Sequence, residues 1–111
     1  MALTFIDTKK LPKIRTSQGE MTEVLNQQLC GAKNVLGTLR WLGSGEKFEA
    51  QASDKHQLIY LMEGRGHIRL DNQDYDVGQG AGVYLGPSEG ATIEAGGALK
   101  LFHLVVPRIP R

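Results

Sequence analysis

Apolar and polar positions along this chain fall into short runs, and glycine, proline or asparagine closes most of them. Val35-Leu36-Gly37-Thr38-Leu39-Arg40-Trp41-Leu42 is the first run with a period of two, and Gly43-Ser44-Gly45 stops it. Gln57 to Met62 is denser in apolar residues, as expected for a strand buried on both faces. It runs into Glu63-Gly64-Arg65-Gly66, where glycine permits the positive φ of a tight reversal. His67-Ile68-Arg69-Leu70 alternates again, with Ile68 and Leu70 expected inward and His67 exposed. Asp71 to Asp74 reads as a turn, Tyr75-Asp76-Val77 as a short strand and Gly78 to Gly82 as a loop. Val83-Tyr84-Leu85, Ala91 to Ala95 and Leu99 to Val106 complete the series, the last stopped by Pro107.

The segment before Cys30 fits two patterns. Ser17-Gln18-Gly19-Glu20 has the form of a helix capping box, followed at helical spacing by Met21, Val24, Leu25 and Leu29. Met21, Glu23 and Leu25 equally fit a strand edge. From Val35 onward no long helical period exists. Eight or so short strands with glycine turns imply an all-β antiparallel barrel or jelly roll.

Residues Gly45 to Gly64 resemble the first motif of the cupin superfamily: a glycine, five residues, His-x-His, three or four residues, Glu, six residues and a glycine. Gly45, Gln51, Ser53, Gln57 and Gly64 stand at the motif positions without a gap. Ile59-Tyr60-Leu61-Met62-Glu63-Gly64-Arg65-Gly66 is similar to the family's strand and turn. The second motif is looser. It starts at Gly80 or Gly82, passes Pro87-Ser88-Glu89-Gly90 and puts the family's later histidine at Thr92 or Ile93.

The resemblance implies a cupin-like double-stranded β-helix. Residues 1–34 would form an amino-terminal arm and first strands, 35–107 the barrel and 108–111 a tail. It also tips Met21–Leu29 toward strand. The family binds a metal through the two histidines, the glutamate and the later histidine. Gln51, Ser53, Gln57 and Thr92 or Ile93 supply amides, hydroxyls or nothing there, so no tightly bound metal is expected.

Strand parity selects the remaining chemistry. If Gln57 faces the interior, so do Ile59 and Leu61, and His103 shares the inward face of the last strand. His56 and His103 are therefore candidates for proton transfer, or for weakly holding a divalent metal. The bland alternative makes His103 a core histidine satisfied by a backbone or Gln partner, and puts His56 at a rim. Gln51, Ser53, Gln57, His56, His103 and Thr92 would orient a ligand, with Trp41, Ile59, Leu61 and Leu85 as apolar wall. Only one of Arg40 and Trp41 can point inward. Trp41 is the expected wall residue, and Arg40, if inward, would suit an anion.

Composition narrows the function classes. The 111 residues suit one domain, and 41% are apolar. A net charge of +1 with no basic stripe argues against nucleic acid. Lys9 to Arg15 is locally basic and reads as a solvated arm. No apolar run approaches the roughly 20 residues of a membrane helix. The lone Cys30 and the absence of a signal-peptide core point to a cytoplasmic protein, with Cys30 a buried inert thiol. The expected partners are a small-molecule ligand and, to cover exposed sheet edges, a second copy in a homodimer. The leading expectation is a binding module for a small polar or anionic organic molecule. The alternatives are an isomerase, cyclase or lyase using His56 or His103, and a structural subunit with a filled barrel.

Overall fold

The computed structural model describes residues 11–25 and 35–106. Ten strands are found among them: β1 (Ile14–Thr16), β2 (Gly19–Leu25), β3 (Leu36–Leu42), β4 (Lys47–Ala50), β5 (His56–Glu63), β6 (Arg65–Leu70), β7 (Gln73–Gly78), β8 (Gly82–Leu85), β9 (Ala91–Ala95) and β10 (Leu99–Val106). They form a six-stranded sheet in the order β1-β2-β3-β10-β5-β8 and a four-stranded sheet in the order β4-β9-β6-β7. Every pairing is antiparallel. The architecture is the all-β jelly roll that the alternating runs imply.

The core lies between the sheets. Ile59, Leu61 and Leu101 of the larger sheet meet Phe48, Ile68 and Ile93 of the smaller one, all nearly inaccessible to solvent. Each such side chain contributes roughly 1.5–3 kcal/mol by leaving water. β5 shows how sequence produces this. Gln57, Ile59 and Leu61 are buried, while Leu58 and Tyr60 between them are exposed, so β5 is buried on one face and not on both as its apolar density suggests. Ile68 and Leu70 of β6 likewise turn toward the core, and His67 is exposed.

Two reversals use special backbone. Gly64, at φ +86, joins β5 to β6 and carries the chain from one sheet to the other. A Cβ there would lie 2.2 Å from the Ala98 carbonyl oxygen, so glycine is required for space as well as for φ. Asp71 and Asn72, at φ 50 and 63, form a two-residue hairpin loop between the paired residues Leu70 and Gln73. Both central residues at positive φ define a type I′ turn, which suits Asp and Asn. The turn is thus shorter than the expected Asp71–Asp74, and Gln73 and Asp74 already belong to β7.

The structure decides other open points. Residues 19–25 are strand, and the helical alternative fails because Glu20 to Glu23 pair in register with Trp41 to Thr38. Part of the basic arm is also strand, since Ile14 to Thr16 pair with Met21 to Gly19. β4 was not among the runs expected as strands. Its four residues, Lys-Phe-Glu-Ala, alternate correctly but bury only Phe48 and Ala50. Cys30 and Leu29 lie outside the described residues.

The β1–β2 hairpin straddles the two sheets. Arg15 donates to the Glu46 carboxylate beside β4, and the Gln18 side-chain oxygen accepts from the Glu49 amide at 2.7 Å. At the opposite end, the Ser88 amide donates to the Ser53 carbonyl at 2.6 Å, tying the β8–β9 loop to the β4–β5 loop.

Candidate functional site

The polar residues of the barrel interior sit where β3, β10 and β5 run side by side. His103 of β10 is paired laterally with Thr38 of β3 and Ile59 of β5, and Leu101 is paired with Arg40 and Leu61. Side chains paired across neighbouring strands share a face. Thr38, Arg40, Gln57 and His103 therefore point to the same side as the core residues Ile59, Leu61 and Leu101.

Gln57 is 5% exposed and fully engaged. Its Nε2 donates to the Gln51 carbonyl at 2.9 Å, and its Oε1 lies 2.7 Å from His103 Nε2. The His103 ring also packs edge-on against Phe48, with centroids 5.0 Å apart. Burial and the neighbouring Arg40 charge push the His103 pKa from 6.5 down to about 4. The imidazole is neutral at pH 7, able to accept a hydrogen bond or a proton but carrying no charge of its own.

Among the described residues, Arg40 is the cation that faces the interior. Its guanidinium carbon stands 4.2 Å from the centre of the Phe48 ring, a cation–π contact. Burial shifts its pKa downward, yet an arginine stays charged in proteins. Nε and Nη1 are buried and have no hydrogen-bond partner. Unmet donors of this kind typically cost about 1–3 kcal/mol, more when charged.

Several expected site residues are elsewhere. Trp41 points to the outer face of the larger sheet, where Lys13 and Lys100 lie 4.3 and 5.7 Å from its ring. It is no wall of the interior; Arg40 holds that position because it shares parity with buried Thr38 and Leu42. His56 also faces outward, sharing a 2.6 Å hydrogen bond and a stacking contact with Tyr84. His56 and His103 consequently lie on opposite faces of one sheet and do not form a pair. Ser53 and the Gln51 side chain are exposed on the β4–β5 loop, because β4 ends at Ala50. Gln51 contributes its carbonyl rather than its amide side chain. Thr92 points out of the smaller sheet, toward Arg69, Asp71 and Asn72, and Ile93, 1% exposed, takes the inward position. Ile59, Leu61 and Leu85 are buried in the core as expected. Thr38 is the addition that parity within β3 could have supplied, and Arg40, the alternative to Trp41 in the sequence pattern, takes the inward place.

Among the described residues, no group of three or more His, Cys, Asp or Glu side chains is arranged to hold a metal ion, and no helix is long and apolar enough to cross a membrane. No family model matches the sequence, and no curated protein matches it.

Solved structures do match the fold. A Thermotoga maritima protein described as a predicted oxalate decarboxylase superposes with a TM-score of 0.84 at 16% identity, covering 95% of this chain and 100% of its own. An RmlC-like cupin from Shewanella frigidimarina gives a TM-score of 0.80 at 14% identity, with 96% and 93% covered. The polyketide cyclase RemF from Streptomyces resistomycificus gives 0.81 at 12% identity, with 99% and 83% covered. Two antiparallel sheets closing on one core, and an RmlC-like cupin that overlays nearly the whole chain, show that this protein has the fold of the cupins.

Proposed function

We propose that this protein binds a small organic anion, with a carboxylate as the anionic group, inside its barrel and without a tightly held metal. One observation carries the reading: Arg40 is half-buried, and its buried Nε and Nη1 have no hydrogen-bond partner. A protein interior rarely retains a charged donor without an acceptor. A carboxylate matches guanidinium geometry and would satisfy both charge and hydrogen bonds. Phe48 holds one side of the guanidinium, while Gln57 and His103 supply neutral polar groups close by.

The residues at the family's metal-ligand positions do not suit a metal. Gln57 is bonded to His103 and to the Gln51 carbonyl, Ile93 has no donor atom, and the Gln51 and Ser53 side chains are exposed on a loop. Amides and hydroxyls are weak ligands for first-row divalent ions.

Thermal melts of the intact protein with acetate, propanoate and benzoate test the reading. Wild-type protein should gain stability with at least one of them, and Arg40→Met should gain none. Equal stabilisation of both proteins would overturn it.

An enzyme of the isomerase, cyclase or lyase type is the second reading, favoured by the neutral His103 beside a cation. His103 would then receive a proton from a carbon or heteroatom next to the bound carboxylate. His56 has no part in it, because it faces the other side of the sheet.

A further inference from the structure

The hydrogen bonds around Gln57 determine more than its own position. A backbone carbonyl can only accept. The contact of Gln57 with the Gln51 carbonyl therefore fixes which end of the amide is nitrogen. The other end, Oε1, is an acceptor, and it faces His103 Nε2 at 2.7 Å. A neutral imidazole carries one N–H and one bare nitrogen. The proton must then be on Nε2, donating to Gln57, and the lone pair is on Nδ1. Among the described residues Nδ1 has no hydrogen-bond partner.

We propose that Gln57 is a positioning residue that holds His103 as the Nε2–H tautomer, and that the bare Nδ1, acting together with Arg40, selects carboxylates that also carry a hydroxyl or amine donor. Arg40 provides donors only, so it fixes the anionic end of a ligand. His103 Nδ1 provides an acceptor only, so it requires a donor at the other end. A simple aliphatic carboxylate would satisfy the first group and leave the second unpaired. The ligand class is therefore a hydroxy acid or an amino acid-like molecule rather than a plain fatty acid. The selectivity rests on the reading of the barrel as a carboxylate site, whereas the tautomer does not.

Nitrogen-15 NMR of His103 at pH 7 reads the tautomer without any ligand. Wild-type protein should show a protonated Nε2 and an unprotonated Nδ1. Gln57→Leu should shift the equilibrium measurably toward Nδ1–H, because Nε2–H would lack its acceptor. A protonated Nδ1 in the wild type, or a Gln57→Leu spectrum unchanged from it, overturns the positioning role.

Lactate and propanoate then serve as matched probes in calorimetric titrations. Lactate should bind wild-type protein more tightly, on the order of tenfold, as one added hydrogen bond allows. Gln57→Leu should reduce that ratio toward one. Equal affinities in the wild type overturn the selectivity and leave the carboxylate reading standing. Binding of neither probe overturns the selectivity, and overturns the carboxylate reading too when acetate and benzoate also fail to stabilise the protein, while the tautomer is judged by NMR alone.

Discussion

The Arg40 guanidinium lies over the Phe48 ring, 4.2 Å from its centre, and so joins β3 of one sheet to β4 of the other across the barrel interior. The ring stabilises the charge on one side, yet it cannot accept the in-plane N–H groups, two of whose nitrogens have no partner. Arg40 is thus costly to the folded state. Arg40→Met keeps an apolar stem and removes the buried charge. It should raise unfolding free energy by about 1–2 kcal/mol, read by urea denaturation, even as anion binding is lost. A midpoint lower than wild type would show that the guanidinium is satisfied.

His103 makes stability depend on pH with a definite sign. Its folded pKa of about 4 lies below the unfolded value of 6.5. Between these values the unfolded chain binds the proton and the folded chain does not. The contribution is therefore fully present above pH 6.5 and is lost as pH falls toward 4. The loss is bounded at about 3 kcal/mol, from 1.36 kcal/mol per pKa unit. Denaturation at several pH values should show this slope in wild-type protein and a flatter one in His103→Gln. Parallel curves for the two proteins would contradict it.

The two histidines of β5 and β10 should separate functionally. His56 bonds to Tyr84 on the outer face, and His103 bonds to Gln57 inside. His56→Gln should leave lactate affinity in calorimetric titrations within about twofold of wild type, as distant independent sites do. His103→Gln should weaken it on the order of tenfold, the worth of a lost hydrogen bond to a polar ligand group. Loss of affinity in His56→Gln would mean that the outer face takes part.

Gly64 and Gly80 have nearly the same backbone, φ +86 and +91, but different surroundings. A Cβ at Gly64 meets the Ala98 carbonyl oxygen and the Leu99 Cα, whereas none of the atoms around Gly80 comes within 4 Å. Gly80→Ala should cost only about 1–2 kcal/mol, for the left-handed conformation. Gly64→Ala should cost more than about 3 kcal/mol, since the backbone must also shift. Equal thermal midpoints for the two variants would refute the close contact.

Much of this was legible in the sequence where alternation was strong. β5 and β10 declare their faces, and the inward Gln57, Ile59, Leu61 and His103 follow from counting by two. Ala91, Ile93 and Ala95 are just as regular, so parity would have preferred Ile93 to Thr92; motif spacing, one residue off, blurred it. Arg40 and Trp41 misled because hydrophobicity favours tryptophan inside. The strand's own parity, read from Thr38 and Leu42, places arginine there. Gln51 and Ser53 misled for a different reason: motif spacing locates a position along the chain but not the residue where a strand ends. Nothing in the residue pattern could have revealed that Gln51 acts through its carbonyl, a contact set by the path of the loop.

The strap of Arg15 and Gln18 over Glu46 and Glu49 gives the barrel two unequal ends. The ends of β5, β7 and β9 and the starts of β6, β8 and β10 gather near the strap, held by hairpins and by the crossing at Gly64. Gln57, His103 and Thr38 sit toward the other end, where β3 and β5 begin and β10 finishes. Gln57 and His103 therefore stand nearer the end that bears the β4–β5 and β8–β9 loops, and the Ser88–Ser53 hydrogen bond there couples the placement of one loop to that of the other.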